Sequence, residues 1–182
     1  MLVQGGYSPS TTHLSVLMTT SGYSTASAAS CLSLFGLSVL IGKLSFGVMA
    51  DRIGAKLATS AAYIAIVAAC LMALLMDGQA LWPCALAAVS FGVGCPPNSV
   101  GIALVGADLS TPEVLTKTMK WMEVSATLGS IVTGVLPGIY YDAVGDYLGA
   151  YVVMAAMAGL CIPLLWVLYR TRQPAHTAAE NG

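Results

Sequence analysis

Lys43 is a charged side chain inside a long apolar stretch, which makes it the first candidate for chemistry. It lies eight residues before Asp51, or about 12 Å along a helix at roughly 1.5 Å per residue. A lysine at the centre of a membrane-spanning helix costs about 2.5 to 3.5 kcal/mol on insertion scales, so its position requires a reason. An ammonium in low-dielectric surroundings attracts a carboxylate much more strongly than in water, and Lys43 is therefore a candidate anion-binding group.

A second candidate, Asn98, follows two consecutive prolines in the middle of the apolar stretch from Gly92 to Gly101. Pro96 and Pro97 remove backbone donors and predict a kink or break, which leaves carbonyl groups to be satisfied by neighbours or by a ligand. The stretch therefore predicts a helix hinge at the two prolines. Asn98 is either part of that hinge or a direct substrate contact.

Glu123 and His13 are two further candidates for substrate binding. Glu123 comes just inside an apolar segment that starts at Trp121, where an acid can simply complement the helix dipole. The alternative is a titrating carboxylate paired with Lys43 or Arg52. His13 either lines a cavity or is a hydrogen-bonded core histidine.

A short motif follows Lys43, with the spacing Gly47-x-x-x-Asp51-Arg52-x-Gly54-x-Lys56. Its glycines allow two helices to approach closely, and its aspartate can face the positive end of a neighbouring helix. Its basic residues favour the cytoplasmic side of a membrane. The motif therefore predicts a conformational gate where a membrane helix ends.

The composition requires a membrane around these residues. The 182 residues are 57% hydrophobic and only 8% charged, whereas soluble domains carry about 25% charged residues. The seven basic residues are scattered and the net charge is −1, which argues against a nucleic-acid partner. The cysteines lack paired spacing, which disfavours a metal site, and we expect no cofactor.

The predicted fold class is all-α, a polytopic bundle of membrane helices within a single domain, residues 1–182, with a disordered cytoplasmic tail from 170 to 182. A helix needs about 20 apolar residues to cross the hydrocarbon core, and a more polar stretch, Leu2 to Thr20, is predicted to be a partial sixth helix. Five clear transmembrane segments satisfy that length: Ala26 to Ala50, Leu57 to Met76, Leu81 to Val105, Trp121 to Tyr141 and Leu148 to Tyr169.

Alternate threading of these helices collects the basic loop residues on one side of the membrane. The opposite loops contain no lysine or arginine, so the positive-inside rule predicts a cytoplasmic C-terminus in a protein of the plasma membrane. The basic residues on the cytoplasmic side are Arg52, Lys56, Lys117, Lys120, Arg170 and Arg172.

An internal echo suggests an inverted repeat of three plus three helices. Gly47-x-x-x-Asp51-x-x-Gly54 recurs as Gly138-x-x-x-Asp142-x-x-Gly145, about three helices later. The first copy ends its helix inside and the second ends outside, which is the relation that inverted repeats have in many transporters. A chance match of three positions is the alternative.

The motif from Gly47 to Lys56 resembles the loop signature of the major facilitator superfamily of transporters, and the chain as a whole resembles helices 7 to 12 of their C-terminal half. Within that family it looks most like the branch of monocarboxylate porters and oxalate:formate antiporters. The resemblance rests on His13-Leu14, Gly22-Tyr23-Ser24, the Gly42-Lys43 helix end and the run from Gly138 to Tyr147.

The resemblance implies a secondary transporter, a symporter or antiporter, that moves a small organic anion by alternating access. In the monocarboxylate branch a basic residue at the position of Lys43 is implicated in holding the substrate carboxylate. The acidic partner found one turn earlier in some members is Val39 here, which departs from their proton-coupling scheme. Snorkelling and a structural ion pair are the alternatives for Lys43.

Such transporters have two six-helix halves, and this sequence resembles one. The expectation is that the chain is a fragment, or that it works with a missing N-terminal half or a second copy. A non-transporting membrane fragment or assembly subunit is the alternative function. We expect no enzyme, because an intramembrane serine hydrolase would require a Gly-x-Ser-x-Gly stretch that the sequence lacks.

Overall fold

The computed structural model describes residues 13–171, and all regular structure within that range is helical. This confirms the predicted all-α class for the described part of the chain. The helices are α1 (Leu14–Thr20), α2 (Thr25–Ile53), α3 (Ala55–Ala73), α4 (Trp82–Gly94), a 3₁₀ turn (Pro96–Asn98), α5 (Val100–Leu109), α6 (Pro112–Gly134), α7 (Leu136–Val144) and α8 (Leu148–Thr171).

Four helical stretches are long and apolar enough to cross a membrane. Three of them, α2, α3 and α8, coincide with predicted segments, and α8 begins at the predicted Leu148. The fourth is the 33-residue run Pro112–Val144. The predicted segment from Leu81 to Val105 is not continuous, because the 3₁₀ turn divides it into the shorter helices α4 and α5.

Both ends of the predicted architecture reach the limits of the described residues. Of the polar N-terminal segment, only the part from 13 onward is described, and it contains the seven-residue helix α1. At the other end, α8 continues through Arg170 and Thr171, so these two residues of the predicted tail are helical. The remainder of the tail lies outside the described residues.

Helix α3 is the centre of the bundle. It packs against α2, α4, α5 and α8. Small residues dominate its buried surface, among them Ala58, Ala62, Ala69 and Ala73, so neighbouring helices approach on several sides. Large apolar side chains such as Ile64 and Leu71 remain exposed on its outer surface, as expected where lipid replaces water.

Helix α2 crosses α4 through a pair of glycines. A Cβ added to Gly42 would lie 2.8 Å from the Gly92 carbonyl oxygen and 2.9 Å from Val93 Cα. A Cβ on Gly92 would in turn overlap Ser38. These two positions therefore require glycine, because any side chain would force the two backbones apart.

The junction between α2 and α3 is a single residue, Gly54. Its φ of 87° is in the region that favours glycine, and its N–H donates to the Ala50 carbonyl at 3.0 Å. Asp51 and Arg52 consequently lie in the last turn of α2 and Lys56 in the first turn of α3. Gly54, inside the gate motif, is thus the single residue that joins the two helices.

A second interruption separates α6 from α7 at Val135. Pro137 follows two residues later and cannot donate the backbone hydrogen bond that would continue α6. The predicted segment from Trp121 to Tyr141 contains this break but misses the start of α6. The helix begins nine residues earlier, at Pro112. The predicted apolar segment does not include these first turns because polar residues occupy them.

Hydrogen bonds connect two loops at the end of the bundle opposite Lys56, and we call this connection the loop clasp. The Tyr23 hydroxyl donates to the Ala80 carbonyl at 2.7 Å and lies 3.4 Å from Asp77 Oδ1. Asp77 also accepts from the backbone N–H groups of Gln79 and Ala80, and these hydrogen bonds lower the pKa of its carboxyl group. Burial raises the pKa of Tyr23 to about 12, so its hydroxyl remains a donor at neutral pH.

Candidate functional site

Lys43 lies on the exposed side of α2. It is ten residues from the end of the helix at Ile53, or about 15 Å along the axis. Within residues 13–171, no acidic side chain forms an ion pair with it. The structural ion pair considered for Lys43 is therefore not formed inside the described bundle.

The helix face around Lys43 is open. Gly36 and Gly47 lie seven residues before it and four after it, so all three share one side of α2. A Cβ added at Gly36 or at Gly47 would meet no heavy atom within 4 Å. This side of α2 is thus open at Gly36 and Gly47, unlike the Gly42 side that packs on α4.

Asn98 ends the 3₁₀ turn between α4 and α5, where the sequence predicts a break. Both of its amide atoms, Oδ1 and Nδ2, are buried without a hydrogen-bond partner among the described residues. A buried amide left unpaired costs free energy, so this position has unused capacity for hydrogen bonds. The interruption is present as predicted, and whether it acts as a hinge stays a prediction.

Glu123 is exposed on α6 and lies eleven residues after the first helical residue, Pro112. That is about 16 Å from the helix N-terminus, well beyond the first turn in which the helix dipole acts. Glu113 occupies that first turn instead. The dipole explanation offered for Glu123 therefore fails, and no ion pair with Lys43 or Arg52 replaces it within the described range.

His13 is tied to the second helix interruption. Its Nε2 lies 3.4 Å from the carbonyl oxygen of Gly134, the last residue of α6. Because a carbonyl can only accept, this contact requires the tautomer with a proton on Nε2. The ring also lies 5.9 Å from the Tyr147 ring. These contacts give His13 structural partners at the end of α6 and just before the start of α8.

Within the predicted gate motif, Asp51, Arg52 and Gly54 are exposed, and Lys56 makes specific contacts. The Lys56 ammonium lies 3.5 Å from the centroid of the Trp166 ring and 5.9 Å from that of Tyr169. Such a cation–π contact is worth about 0.5 to 1 kcal/mol at an exposed site. Lys56 therefore joins the start of α3 to the end of α8.

Further hydrogen bonds hold the two aromatic residues in place. Trp166 Nε1 donates to Ser60 Oγ at 3.2 Å, and the Tyr169 hydroxyl donates to Asp108 Oδ2 at 2.8 Å. We call Lys56, Ser60, Asp108, Trp166 and Tyr169 the aromatic cluster. No sequence pattern predicted these contacts, which join residues 106 and 61 positions apart.

Cavities between helices occur in the described bundle. One of about 400 Å³ lies between α3, α5, α6 and α8, next to the aromatic cluster. Another, of about 330 Å³, lies between α7, α8 and the end of α6. None of the four predicted substrate-binding residues lines either of these two cavities.

The described structure does not bring Lys43, Asn98, Glu123 and His13 together into one site. It provides an unpaired cation on an open helix face, an unpaired amide at a broken helix, and an acid three turns into another helix. No group of three or more metal-ligating side chains occurs among the residues described.

Comparison of the sequence with protein families identifies the chain. The profile of the Major Facilitator Superfamily matches residues 1–182. Comparisons with curated proteins and with solved structures returned no match. The match covers the whole chain and agrees with the apolar, all-helical architecture. The protein therefore belongs to the major facilitator superfamily of membrane transporters.

Proposed function

We propose that this chain forms the C-terminal six-helix half of a secondary transporter that moves a small organic anion, such as a monocarboxylate, by alternating access. The observation that carries the proposal is Lys43, a cation in the membrane-spanning part of α2 with no acidic partner in the described bundle. Cations at such depth are expensive and are usually functional. An anionic substrate would supply the missing countercharge.

The open face of α2 supports this assignment of Lys43. Side chains tilt toward the N-terminus of their helix, and for Lys43 that direction leads away from the nearer end of α2. Snorkelling to the basic side is therefore disfavoured. Gly36 and Gly47 leave space beside the lysine, as a cavity wall or an interface with another helix bundle would. We propose that the N-terminal six-helix half, or a second copy, faces this surface across a central cavity.

Asn98 and Glu123 complete the proposed substrate contacts. Broken helices in transporters direct unpaired polar groups toward the substrate, and the unpaired amide of Asn98 at the Pro96–Pro97 turn fits that role. The two prolines would act as the hinge. Glu123 is proposed to contact the substrate from the exposed side of α6. His13 is proposed to hold the interrupted end of α6 rather than the substrate directly, since it contacts Gly134.

The gate motif is proposed to respond to the exchange between two conformations. Asp51 and Arg52 are exposed at the end of α2, where the other half of a transporter would meet them. Lys56, by contrast, holds to Trp166 within this bundle. Such a gate works when its residues make different contacts in the two conformations, because only such a difference can shift the equilibrium between them.

An inverted repeat of three plus three helices is supported by two helix ends. Gly54 and Gly145 follow the two motif copies, with φ of 87° and 84°, and each donates its N–H to the carbonyl four residues earlier. Their ψ values differ, at 152° and 4°, because α3 continues directly from Gly54. The aromatic cluster lies at the basic end, which is proposed to be cytoplasmic.

The substrate class is tested by uptake in the source cells. A strain lacking this gene and its parent are compared for uptake of radiolabelled lactate, pyruvate, formate and oxalate, with a neutral sugar and a cationic amine as controls. The proposal predicts that uptake of at least one anion falls in the deletion strain and returns when the gene is restored. Loss confined to the sugar or the amine would contradict it.

A further inference from the structure

The 400 Å³ cavity beside the aromatic cluster has the properties of a second binding site, separate from the proposed anion path. Its volume lies within the roughly 300 to 1,000 Å³ typical of small-molecule sites. Its wall is formed by thirteen residues, among them Thr59, Tyr63, Met122, Ser125 and Cys161. None of these residues is charged, so an ion would find no countercharge in this part of the wall.

A fully buried polar atom in the wall is left without a partner among the described residues. Thr59 is only 2% exposed, lines the cavity, and its Oγ1 is buried with no hydrogen-bond partner in the described bundle. Its neighbour in sequence, Ser60, instead donates to the Lys56 carbonyl at 2.9 Å. Other helical hydroxyls behave like Ser60 and bond a carbonyl three or four residues earlier: Ser30, Ser33, Ser38, Ser45, Ser125, Thr127 and Thr133.

Water does not suit the unpaired Thr59 hydroxyl. A buried water needs two to four polar partners, and most of this wall consists of carbon and sulfur. The Ser125 hydroxyl lines the cavity too, but its hydrogen is donated to the Met122 carbonyl at 2.8 Å. A ligand with an apolar body and one polar group would satisfy Thr59 and also cover the apolar wall.

We infer that this cavity binds an uncharged, mostly apolar molecule with a single hydrogen-bonding group, such as a hydroxyl, that pairs with Thr59 Oγ1. The molecule is either a membrane lipid with an uncharged head or a free apolar solute, and both have this chemistry. The site does not depend on the proposed transport of anions, since Lys43, Asn98, Glu123 and His13 are not in its wall.

Photolabelling of the full chain in lipid nanodiscs tests the inference. The probe is 3-azioctanol, an uncharged alkanol whose diazirine marks nearby residues on irradiation. Mass spectrometry should find adducts on wall residues such as Tyr63, Met122 and Cys161. Excess 1-octanol should suppress them, and excess octane, which lacks the hydroxyl, should suppress them less.

Two isosteric variants isolate the hydroxyl. Thr59→Val should weaken labelling of the wall by about 2- to 10-fold, the effect of one net hydrogen bond. Thr133→Val is the matched control, because Thr133 is also buried but its hydroxyl already bonds the Gly129 carbonyl at 2.6 Å. It should leave the labelling unchanged. Circular dichroism verifies that both variants keep the helical fold.

Native mass spectrometry of the chain in mild detergent distinguishes the two sources of ligand. A co-purified neutral lipid that is lost from Thr59→Val would identify a lipid site. Octanol adducts in the wall without a retained lipid would identify a site for a free solute. Adducts spread evenly over lipid-facing residues, or equal wall labelling in wild type and Thr59→Val, would overturn the inference.

Discussion

Glycine serves opposite purposes at neighbouring positions of α2. Gly42 lets the backbones of α2 and α4 meet, since a Cβ there would lie 2.8 Å from the Gly92 carbonyl oxygen. Gly36 has open space beside it. The sequence could predict that glycines allow helices to approach closely, but it could not tell which glycine faces its own bundle, because that depends on the rotation of α2.

We predict that Gly42→Ala destabilises the chain by about 1 to 3 kcal/mol, as expected for overpacking between two helices. Gly36→Ala is the matched control and should change stability little, because its new methyl group meets nothing within 4 Å. Unfolding of the purified chain in detergent, followed by helical circular dichroism, measures both. Equal effects of the two substitutions would refute the Gly42–Gly92 packing.

Asp77 should make the loop clasp sensitive to acid. Its folded pKa lies below the ordinary value of 3.8, mainly because the Gln79 and Ala80 N–H groups donate to the carboxylate. A lowered folded pKa contributes stability that is present above the unfolded pKa and is lost as the pH falls through the folded value. The contribution of Asp77 should therefore be full at pH 7 and disappear at pH values below about 4.

The measurement compares melting temperatures of wild type and Asp77→Asn between pH 7 and pH 3. Wild type should melt higher at pH 7, and the difference should shrink as the pH falls below about 4. Asp142→Asn, an exposed residue in the last turn of α7 at the same end of the bundle, controls for the loss of one negative charge. A difference that stays constant over the whole range would contradict the role of Asp77.

At the scale of elements, the helices were largely predictable and their interruptions only partly so. Apolar runs identified α2, α3 and α8 because lipid-facing and core-facing residues are both apolar. Pro96 and Pro97 signalled the break before α5. The break at Val135 was missed, and the apolar segment predicted from Trp121 covers only the later turns of α6, since Lys117 and Lys120 make its first turns polar.

The aromatic cluster could not be predicted, because no local pattern relates Lys56 on α3 to Trp166 on α8. We predict that a double-mutant cycle of Lys56→Met and Trp166→Leu shows a coupling energy of about 0.5 to 1 kcal/mol in the free energy of unfolding. The cycle of Lys56→Met with Tyr169→Leu should show less coupling, because that ring lies at 5.9 Å rather than 3.5 Å. Strict additivity for the Trp166 cycle would show that the contact contributes nothing.

At the scale of the whole molecule, the proposed orientation depends on the basic residues at one end of the bundle. We predict that cysteines at Gln79 and Val144 react with a membrane-impermeant maleimide in sealed cells, whereas one at Thr171 reacts only after permeabilisation. The background chain has its five cysteines replaced by serine or alanine. Gln79 is suitable because it is exposed, whereas a side chain on Gly78 would overlap the Ser21 carbonyl.

The parent chain without cysteine gives the background labelling. Reaction of the Thr171 variant in sealed cells, with Gln79 and Val144 protected, would show that the orientation is the opposite of the proposed one.

The fold class and family were accessible from the sequence because hydropathy and the Gly47–Lys56 motif are local patterns. The candidate site was accessible only in part, because the described bundle does not bring Lys43, Asn98, Glu123 and His13 together.

The central claim is that Lys43 binds the carboxylate of a transported anion, and Lys43→Gln in the chromosomal gene tests it most directly. Uptake of the anion identified with the deletion strain is measured for Lys43→Gln, for Lys43→Arg and for Lys120→Gln, an exposed lysine on α6, as the matched control. Immunoblots of membranes verify that each variant is present at the wild-type level.

Loss of the lysine charge should weaken uptake by about 10- to 100-fold, which corresponds to the ~1.5 to 3 kcal/mol of a hydrogen bond to a charged group. Lys43→Arg should retain part of the uptake, because a cation remains, and Lys120→Gln should retain nearly all of it. Normal anion uptake by Lys43→Gln at wild-type abundance would contradict the account and assign Lys43 to structure instead.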